Sequence, residues 1–377
     1  MAFAASRAPY VAQTPDVRTF GADASIPLAR FDDGEEDDCD ALTRAGEKVD
    51  SLPQGGVRRR WNTFASKCKT VYKNNIGLLL IAISVAFASM MSTLVKLMNS
   101  IDPPVPMLEN DAVPQFGTGV FCMIYMWIMK IPDPFLGPKG VRWLLALRGF
   151  FGFIGLSGNY FSLQYLSVSD ATVLQFLAPM CTGIAGALLL KEHFSREQAF
   201  ASLFSLAGVV LIARPSFLFG TAVNSAHIVQ PAPDRLDARF AMIGVFGATG
   251  AFTTIRAVGK RAHALHSVVA FSVQCVIASA FFMVVFKTPV VVPTRLDWLG
   301  MLLAIGFCGF IYQMLFTMGL QIETAGRGTM AVYVQVVYAT INDFVFFHSV
   351  PNALSIIGTM IIVTSAVYIA VRRSVCP

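Results

Sequence analysis

The chain of 377 residues is 55% hydrophobic and only 14% charged, with a net charge of +6 and a mean hydropathy of +0.61. Ordinary soluble domains are about 45–50% apolar and about 25% charged. The charge is also concentrated at one end, because residues 1–75 hold 22 of the 52 charged side chains. This composition excludes a soluble globular protein and predicts an integral membrane protein.

Residues 1–75 are predicted to form a disordered cytoplasmic tail. They mix Pro, Ala and charged residues without helical periodicity and contain an acidic run at 32–38. No secretory signal peptide is expected, because the first long apolar run begins near Ile76. A basic cluster at 58–73 could contact anionic lipid head groups, or it could only orient the first helix and stay solvated.

Ten apolar runs follow the tail, each close to the roughly 20 residues that cross the hydrocarbon core of a bilayer. They predict an all-α integral membrane fold with ten transmembrane helices. The predicted helices span 76–98, 112–131, 141–163, 168–190, 197–213, 239–258, 266–287, 297–320, 328–347 and 353–371.

Lys and Arg are unevenly distributed between the two sides of these helices. Every connection on the side of the N-terminal tail contains them, whereas 99–111, 164–167 and 348–352 on the other side contain none. The connections after the fifth and seventh helices do carry a few. By the positive-inside rule, both termini are predicted to be cytoplasmic, which requires an even number of spans.

An internal repeat divides the predicted helices into two groups of five. A constant offset of 157 residues (306 − 149 = 157), called here the repeat shift, places the segment 149–154 on 306–311 with five identities in six positions. It predicts two repeats, at 76–214 and 239–372, joined by a loop at 215–238 and followed by a short cytoplasmic end at 373–377. Because five is odd, the repeats are expected to be inverted, an arrangement typical of alternating-access carriers but shared by some channels.

Five segments of the first repeat carry the pattern of a known family: 148–152, 160–172, 176–179, 191–192 and 208–212. With these segments the first repeat resembles an EamA-type module of the drug/metabolite transporter superfamily, to which nucleotide-sugar and triose-phosphate carriers also belong. In the second repeat the match is looser, because Ser349 stands where a glutamate is expected. The resemblance implies ten helices in two EamA halves around a central substrate cavity, without specifying the solute.

Charged residues within the spans are candidate functional residues, since each costs at least ~2.5–3.5 kcal/mol at a helix centre. Arg148 could bind an anionic substrate group, or it could snorkel to the interface or bond a facing carbonyl. Asp343 could bind a proton or a cation, or form a structural ion pair with Lys96. Arg256 is interpreted as a positive-inside anchor, and Glu192 is expected to tether helix ends or to act in gating.

Uncharged polar residues in the spans are candidates for the lining of a cavity. Three of them lie on one face of the ninth helix, which should point inward, toward substrate or another helix. Pro179 predicts a bend in the fourth helix that could serve gating or be static. The candidate substrate-binding residues are Arg148, Asn159, Tyr160, Gln175, Gln313, Tyr333, Gln335, Tyr338 and Asn342.

Glycines recur every third residue in two of the spans. No strand precedes them and no acidic ribose partner follows, so close helix packing explains them better than dinucleotide binding does. The two sets are Gly149, Gly152, Gly155 and Gly158 in the third helix, and Gly244, Gly247 and Gly250 in the sixth.

These features predict a secondary transporter that moves a small polar or anionic metabolite by alternating access. No metal or cofactor is expected, because the cysteines are scattered and the pair His263 and His266 lacks a third ligand. A membrane transferase is a weaker alternative, since no histidine box or nucleophile elbow is present. A receptor or scaffold is a third. The expected partners are a small solute and the bilayer, with no nucleic acid. The sequence leaves open a homo-oligomer, the membrane that is occupied and the role of the tail.

Overall fold

A computed structural model of the chain gives its architecture. Residues 1–74 of the predicted tail, with the basic cluster at 58–73, and most of the loop 215–238 lie outside the described residues. Within the described part every regular element is a helix and none is a strand, which confirms the predicted all-α fold class. The described residues belong to one unit, Thr70–Pro377. They are 75–101, 107–131, 133, 137–219, 237–286, 296–348 and 352–375.

The described residues contain thirteen α-helices and two short 3₁₀ helices. The 3₁₀ helices are Gly259–Arg261 and Ala331–Tyr333. The α-helices are α1 (Ile76–Ile101), α2 (Met107–Ile128), α3 (Arg142–Tyr165), α4 (Val168–Gln175), α5 (Ala178–Leu189), α6 (Arg196–Ala213), α7 (Ser216–Phe219), α8 (Asp237–Val258), α9 (Ala264–Phe286), α10 (Leu296–Ile322), α11 (Ala325–Met330), α12 (Val334–Phe347) and α13 (Ala353–Val375).

Eight helical segments of the described chain are long and apolar enough to cross a membrane. The protein is therefore a multi-pass integral membrane protein. The helices α2 and α3, of 22 and 24 residues, are outside that set of eight. The lower apolar content of α3 has a clear source, because it contains two arginines, Arg142 and Arg148, besides Asn159. The count of ten spans stays a prediction.

The fourth and ninth predicted spans are each interrupted: the fourth forms α4 and α5, next to the bend predicted at Pro179, and the ninth forms α11, a 3₁₀ turn and α12. The fourth ends at Gln175 and resumes at Ala178, with Pro179 in the first turn of the new helix. A proline ring clashes with the carbonyl four residues earlier, here that of Gln175, and its missing N–H costs nothing at a helix start. The ninth begins at Ala325, earlier than predicted, and tightens into the 3₁₀ turn Ala331–Tyr333 before α12.

Glycines hold the helix α3 against α8, the pair with the most extensive contact in the described part. A methyl group added at Gly158 would lie 2.5 Å from the Cα atom of Gly244, and one added at Gly155 would lie 2.8 Å from the backbone nitrogen of Ala248. Backbones can approach this closely only where side chains are absent. The glycine spacing in the third and sixth helices thus marks a real helix crossing.

Other extensive helix pairs are α1 with α10, α6 with α13, and α2 with α9. Glycines again make the closest approach between α6 and α13, where a methyl group at Gly358 would lie 2.6 Å from the carbonyl oxygen of Gly208. Helix–helix contacts also join α9 to α3, α10 to α2, α12 to α1, and α8 to α5.

The bundle has two ends, which are named here after the residues that mark them. At the Glu192 end, Glu192 contacts Arg256 near the end of α8 and Ala325 at the start of α11. At the Lys96 end, Lys96 near the end of α1 contacts Asp343 near the end of α12.

Candidate solute-binding site

Arg148 is a buried cation inside the bundle, with 4% of its surface exposed. Its Nη2 atom donates a long hydrogen bond of 3.4 Å to the side-chain oxygen of Gln313 on α10. Its guanidinium lies over the ring of Phe271 on α9, 4.3 Å from the centroid. The Nε and Nη1 atoms have no hydrogen-bond partner, and no carboxylate of the described residues lies within ion-pair distance. The arrangement leaves a positive charge with unused donors.

The position of the guanidinium follows from the residues on α3 and α9. Gly152 lies one helical turn beyond Arg148, and a methyl group there would collide with both the guanidinium and the ring of Phe271. The absent side chain gives the arginine its space. Phe271 covers one face of the guanidinium, a contact that stabilises a cation by about 0.5–2 kcal/mol. Arg148 is thus held between three helices and does not reach an exposed surface.

The polar face of the ninth predicted span lies on α12 and is directed toward α1. The side chain of Asn342 donates a hydrogen bond of 3.0 Å to the Ser89 hydroxyl, and Tyr338 packs beside the buried residues of α1 and α10. Gln335 on the same helix is half-buried. The face therefore points into the bundle, and its contacts seen here are with another helix.

Tyr333 ends the 3₁₀ turn that interrupts the ninth predicted span between α11 and α12, and it is fully buried. Its hydroxyl forms a hydrogen bond of 3.1 Å with Ser202 on α6. Its ring stacks on Phe176, which lies in the interruption of the fourth helix, with centroids 5.8 Å apart. The two interruptions thus meet through one aromatic pair.

Replacing Tyr333 with Phe is expected to destabilise the protein by about 1 kcal/mol, because it leaves the buried Ser202 hydroxyl without its partner. The thermal unfolding of Tyr333→Phe, Ser202→Ala and the double variant would measure the coupling between the two groups. A coupling free energy of about 0.5–1.5 kcal/mol is expected, and strictly additive effects would contradict the bond.

The other candidates occupy scattered positions. Asn159 lies on α3, with its backbone nitrogen at the crossing with α8, and Gln175 is exposed at the end of α4. Tyr160 is on α3, but its side chain is outside the described ones. The carbonyl oxygen of Pro179 accepts a hydrogen bond of 3.2 Å from Thr329 on α11. Among the uncharged candidates whose side chains are described, only Gln313 forms a hydrogen bond with Arg148.

Lys96 and Asp343 form an ion pair at the Lys96 end, with 3.0 Å between the ammonium nitrogen and a carboxylate oxygen. Lys96 also lies 5.5 Å from the centre of the Phe347 ring. The side chains of Lys96 and Asp343 are 58% and 40% exposed. The pair joins α1 to α12 at one end of the bundle.

Glu192 joins three segments at the opposite end. One carboxylate oxygen accepts a hydrogen bond of 2.5 Å from Arg256 Nε, and the other accepts one of 2.7 Å from the backbone N–H of Ala325. Arg256 also donates to the carbonyl oxygen of Gln321, at 2.8 Å. Arg256 therefore joins helix ends, in addition to the positive-inside anchoring that its position in the sequence indicates. An open groove of about 490 Å³ at this end includes Glu192, Arg256, Lys260 and Gln321 in its lining.

A second ion pair at the Glu192 end was missed in the sequence. Arg327 and Glu323 are both buried and lie 3.0 Å apart, at positions i and i+4 of the chain. Arg327 also donates to the side-chain oxygen of Asn75 and to the carbonyl oxygen of Ile369, which ties the start of α1 to the end of α13. The spacing of four between opposite charges was the available signal, but Arg327 was used only as a sign of topology.

The histidines of the connection between α8 and α9 form no metal centre that the described residues can complete. The Nδ1 atom of His263 accepts a hydrogen bond of 3.3 Å from the backbone N–H of Leu265. Among the described residues, no group of three or more His, Cys, Asp and Glu side chains could hold a metal ion.

Comparison with known proteins identifies the family. The model of the EamA-like transporter family matches residues 75–214 and 239–371. The chain belongs to the EamA-like transporter family. The matched stretches contain Arg148, the two interrupted spans and all three of the ion pairs at the ends of the bundle.

Relatives of this EamA-like chain include named transporters. It is 36% identical over 328 residues to the probable transport protein YPL264C of Saccharomyces cerevisiae, covering 81% of this chain and 91% of the relative. It is 34% identical over 254 residues to human solute carrier family 35 member G1, covering 67% of each chain. The pseudopaline exporter CntI of Pseudomonas aeruginosa is 25% identical over 77% of this chain and 94% of its own length. Family and names indicate a transporter rather than an enzyme.

A crystal structure shares the fold. It superposes with a TM-score of 0.61 at 19% identity and covers 78% of this chain and 98% of its own. At this identity the likeness concerns the fold alone.

Proposed function

We propose that this EamA-like protein is a secondary transporter of a small anionic metabolite, which it moves by alternating access. The observation that carries the proposal is Arg148, a buried guanidinium with Nε and Nη1 unpartnered. A charge inside a membrane bundle is costly unless a partner compensates for it. A carboxylate or phosphate group of the solute would supply that compensation and would take the unused donors.

Gln313 and Phe271 suit such a site. Gln313 accepts from Arg148 through its oxygen, which leaves its amide group as a neutral donor for a polar solute. Phe271 covers a face of the guanidinium and excludes water there, which strengthens the attraction for an anion. Both residues lie on helices other than that of Arg148, so a bound anion would contact three helices at once.

Helix bounds support the two inverted repeats on which alternating access depends. The repeat shift relates the ends or beginnings of five helix pairs without any gap. It carries Ile101, Met107, Tyr165, Val168 and Arg196 onto the corresponding bounds Val258, Ala264, Ile322, Ala325 and Ala353. The correspondence includes the interruptions of the fourth and ninth helices, which were not visible in the hydropathy pattern.

Contacts between helices follow the same relation. The repeat shift converts α3 with α8 into α10 with α1, and converts α9 with α3 into α2 with α10, and all four pairs are present. At the residue level, Tyr125 with Phe310 corresponds to Phe282 with Phe153, and both ring pairs have centroids 5.9 Å apart. This supports a pseudo-two-fold axis that relates two five-helix halves.

The distribution of Lys and Arg supports the orientation in the bilayer. The Glu192 end carries Lys191, Lys260, Arg261 and, in α11, Arg327, whereas the described residues 164–167 at the other end include no Lys or Arg. By the positive-inside rule the Glu192 end is cytoplasmic. With ten spans, both termini are on that side.

Uptake into proteoliposomes tests the proposed function. Purified full-length protein would be reconstituted and supplied with a panel of radiolabelled solutes that includes carboxylates, phosphate esters, neutral sugars and cationic amines. Saturable, protein-dependent uptake of at least one anion is expected. Saturable uptake of cations or neutral solutes alone, or no saturable uptake of any solute, would contradict the proposal.

A further inference from the structure

The two ion pairs Glu192–Arg256 and Lys96–Asp343 close opposite ends of the bundle. Glu192 and Arg256 lie where α5, α8, α10 and α11 meet. Lys96 and Asp343 lie where α1 and α12 end. No other ion pair of the described residues joins these helix pairs at either end, since the third, Glu323–Arg327, is local in the chain at positions i and i+4.

The helices joined by the two pairs correspond in the repeat. The repeat shift converts α1 into α8 and converts α5 into α12. Lys96 near the end of α1 therefore has its counterpart in Arg256 near the end of α8. Asp343 near the end of α12 has its counterpart in Glu192, which follows α5. The repeat shift does not place Lys96 on Arg256 or Glu192 on Asp343. The two ion pairs nevertheless join corresponding helices, with the cation and the anion on corresponding helices and near the same helix ends.

Separation of these helices would break each ion pair. Opening the Glu192 end moves α8 away from α5, which requires Arg256 to leave Glu192. Opening the Lys96 end moves α12 away from α1, which requires Lys96 to leave Asp343. Both pairs are intact in the structure. In inverted repeats the two movements exchange roles, so each pair is expected to part only while the other stays intact.

We infer that Glu192–Arg256 is the cytoplasmic gate and Lys96–Asp343 the opposite gate of the transport cycle. The inference rests on the proposed function, because a gate needs a carrier. The cytoplasmic gate is the stronger of the two. Its side chains are 24% and 16% exposed, against 58% and 40% in the opposite gate, and salt and water weaken exposed pairs most.

Accessibility of Cys275 offers a test that needs no knowledge of the solute. Cys275 is buried on α9, one helical turn after Phe271 and near Arg148. Sealed vesicles of each orientation would be treated with a membrane-impermeant, charged methanethiosulfonate reagent. Mass spectrometry would then measure the modified fraction of Cys275 in the full-length protein.

Each gate variant is expected to open one side. Glu192→Gln should raise the rate of Cys275 modification at least about threefold when the reagent is on the cytoplasmic side, and leave the opposite side unchanged. Asp343→Asn should raise it from the opposite side only. Unchanged rates in both variants, or a rise on the wrong side, would overturn the assignment.

Controls separate gating from damage to the fold. Lys260→Gln removes a cation in the same groove that forms no ion pair among the described residues, and it should leave the modification of Cys275 unchanged on both sides. The exchange Lys96→Asp with Asp343→Lys should restore the wild-type rate, whereas Lys96→Asp alone should resemble Asp343→Asn. If a single variant unfolds and loses its size-exclusion peak, the charge exchange still decides the role of the opposite gate, since failure to restore closure would refute it.

The labelling result is independent of the uptake result. If only cations or neutral solutes are transported but the labelling changes side as expected, the gates stand and the choice of an anionic solute fails. If an anion is transported but the labelling never changes side, the carrier stands and the gates fail.

Discussion

Replacing Arg148 with Met is expected to abolish uptake of the transported anion while making the protein slightly more stable. The loss of uptake follows from the loss of charge-assisted hydrogen bonds to the solute. Such bonds contribute about 1.5–3 kcal/mol each, which corresponds to a roughly ten- to hundred-fold loss of affinity for a single bond. Uptake measured at a solute concentration well below saturation would report this loss directly.

The gain in stability has a separate origin. Without solute, Arg148 is buried with one long hydrogen bond and one aromatic contact. A charge at a helix centre costs at least ~2.5–3.5 kcal/mol, and the contact with Phe271 offsets about 0.5–2 kcal/mol of that cost. Met fills a similar volume without charge, so Arg148→Met should gain about 1 kcal/mol in the free energy of unfolding, seen as a higher Tm.

Two further variants sharpen this expectation. Arg148→Lys keeps the charge but loses the planar fork, so partial uptake is expected. Lys260→Gln removes an exposed cation at the Glu192 end and should leave uptake within about twofold of wild type. Full uptake by Arg148→Met would show that the arginine is structural, and a large fall in Tm would show that it has a compensating partner.

The variant Gly158→Ala is expected to lose much of the folded protein, although it adds a single methyl group. That group would lie 2.5 Å from both the backbone nitrogen and the Cα atom of Gly244. Neither atom belongs to a flexible side chain, so α3 and α8 must move apart along their most extensive contact. Overpacking of this kind costs about 1–3 kcal/mol and sometimes more. Thermal unfolding in one detergent would measure the effect.

Gly300→Ala is the matched control for this substitution. Gly300 is also helical, in the first turns of α10, but a methyl group there would meet no atom within 4 Å. Since alanine favours a helix over glycine by about 1 kcal/mol, Gly300→Ala should leave stability unchanged or raise it slightly. Equal effects of the two substitutions would contradict the close crossing at Gly158.

Apolar runs predicted the position of the described helices well, because the bilayer imposes length and composition on a span. The bounds were less certain where the pattern was mixed. The second helix begins at Met107, ahead of the predicted start at 112. The prediction left out its first turns because Glu109 and Asp111 are untypical of a membrane helix.

The helix interruptions could be predicted only in part. Pro179 indicated a bend in the fourth helix, and its clash with the carbonyl of Gln175 places the break just before it. No proline marks the interruption of the ninth predicted span between α11 and α12, since Ala331, Val332 and Tyr333 are ordinary helix residues. The turn there depends on packing against Phe176 and Ser202, which are distant in sequence.

The candidate site is predicted from charge and polarity, which single out a residue only where such residues are rare. Arg148 stands out in an apolar span, and Gln313 was one of few amides. Phe271 could not be singled out, because the chain contains 31 phenylalanines and only the fold shows which one covers the guanidinium. The partner of Arg256 was equally hidden, since 64 residues separate it from Glu192.

The aromatic pair at the two interruptions has a consequence for the energy balance of transport. Phe176 and Tyr333 are counterparts under the repeat shift, but only Tyr333 carries a hydroxyl, and it binds Ser202. The counterpart of Ser202 is Thr359, whose hydroxyl binds the carbonyl of Ser355 in its own helix. Identical halves would make the inward-facing and outward-facing forms isoenergetic. In the proposed alternating-access cycle, a bond of about 1 kcal/mol that is made in only one of the two forms would give that form a roughly fivefold excess in the empty protein.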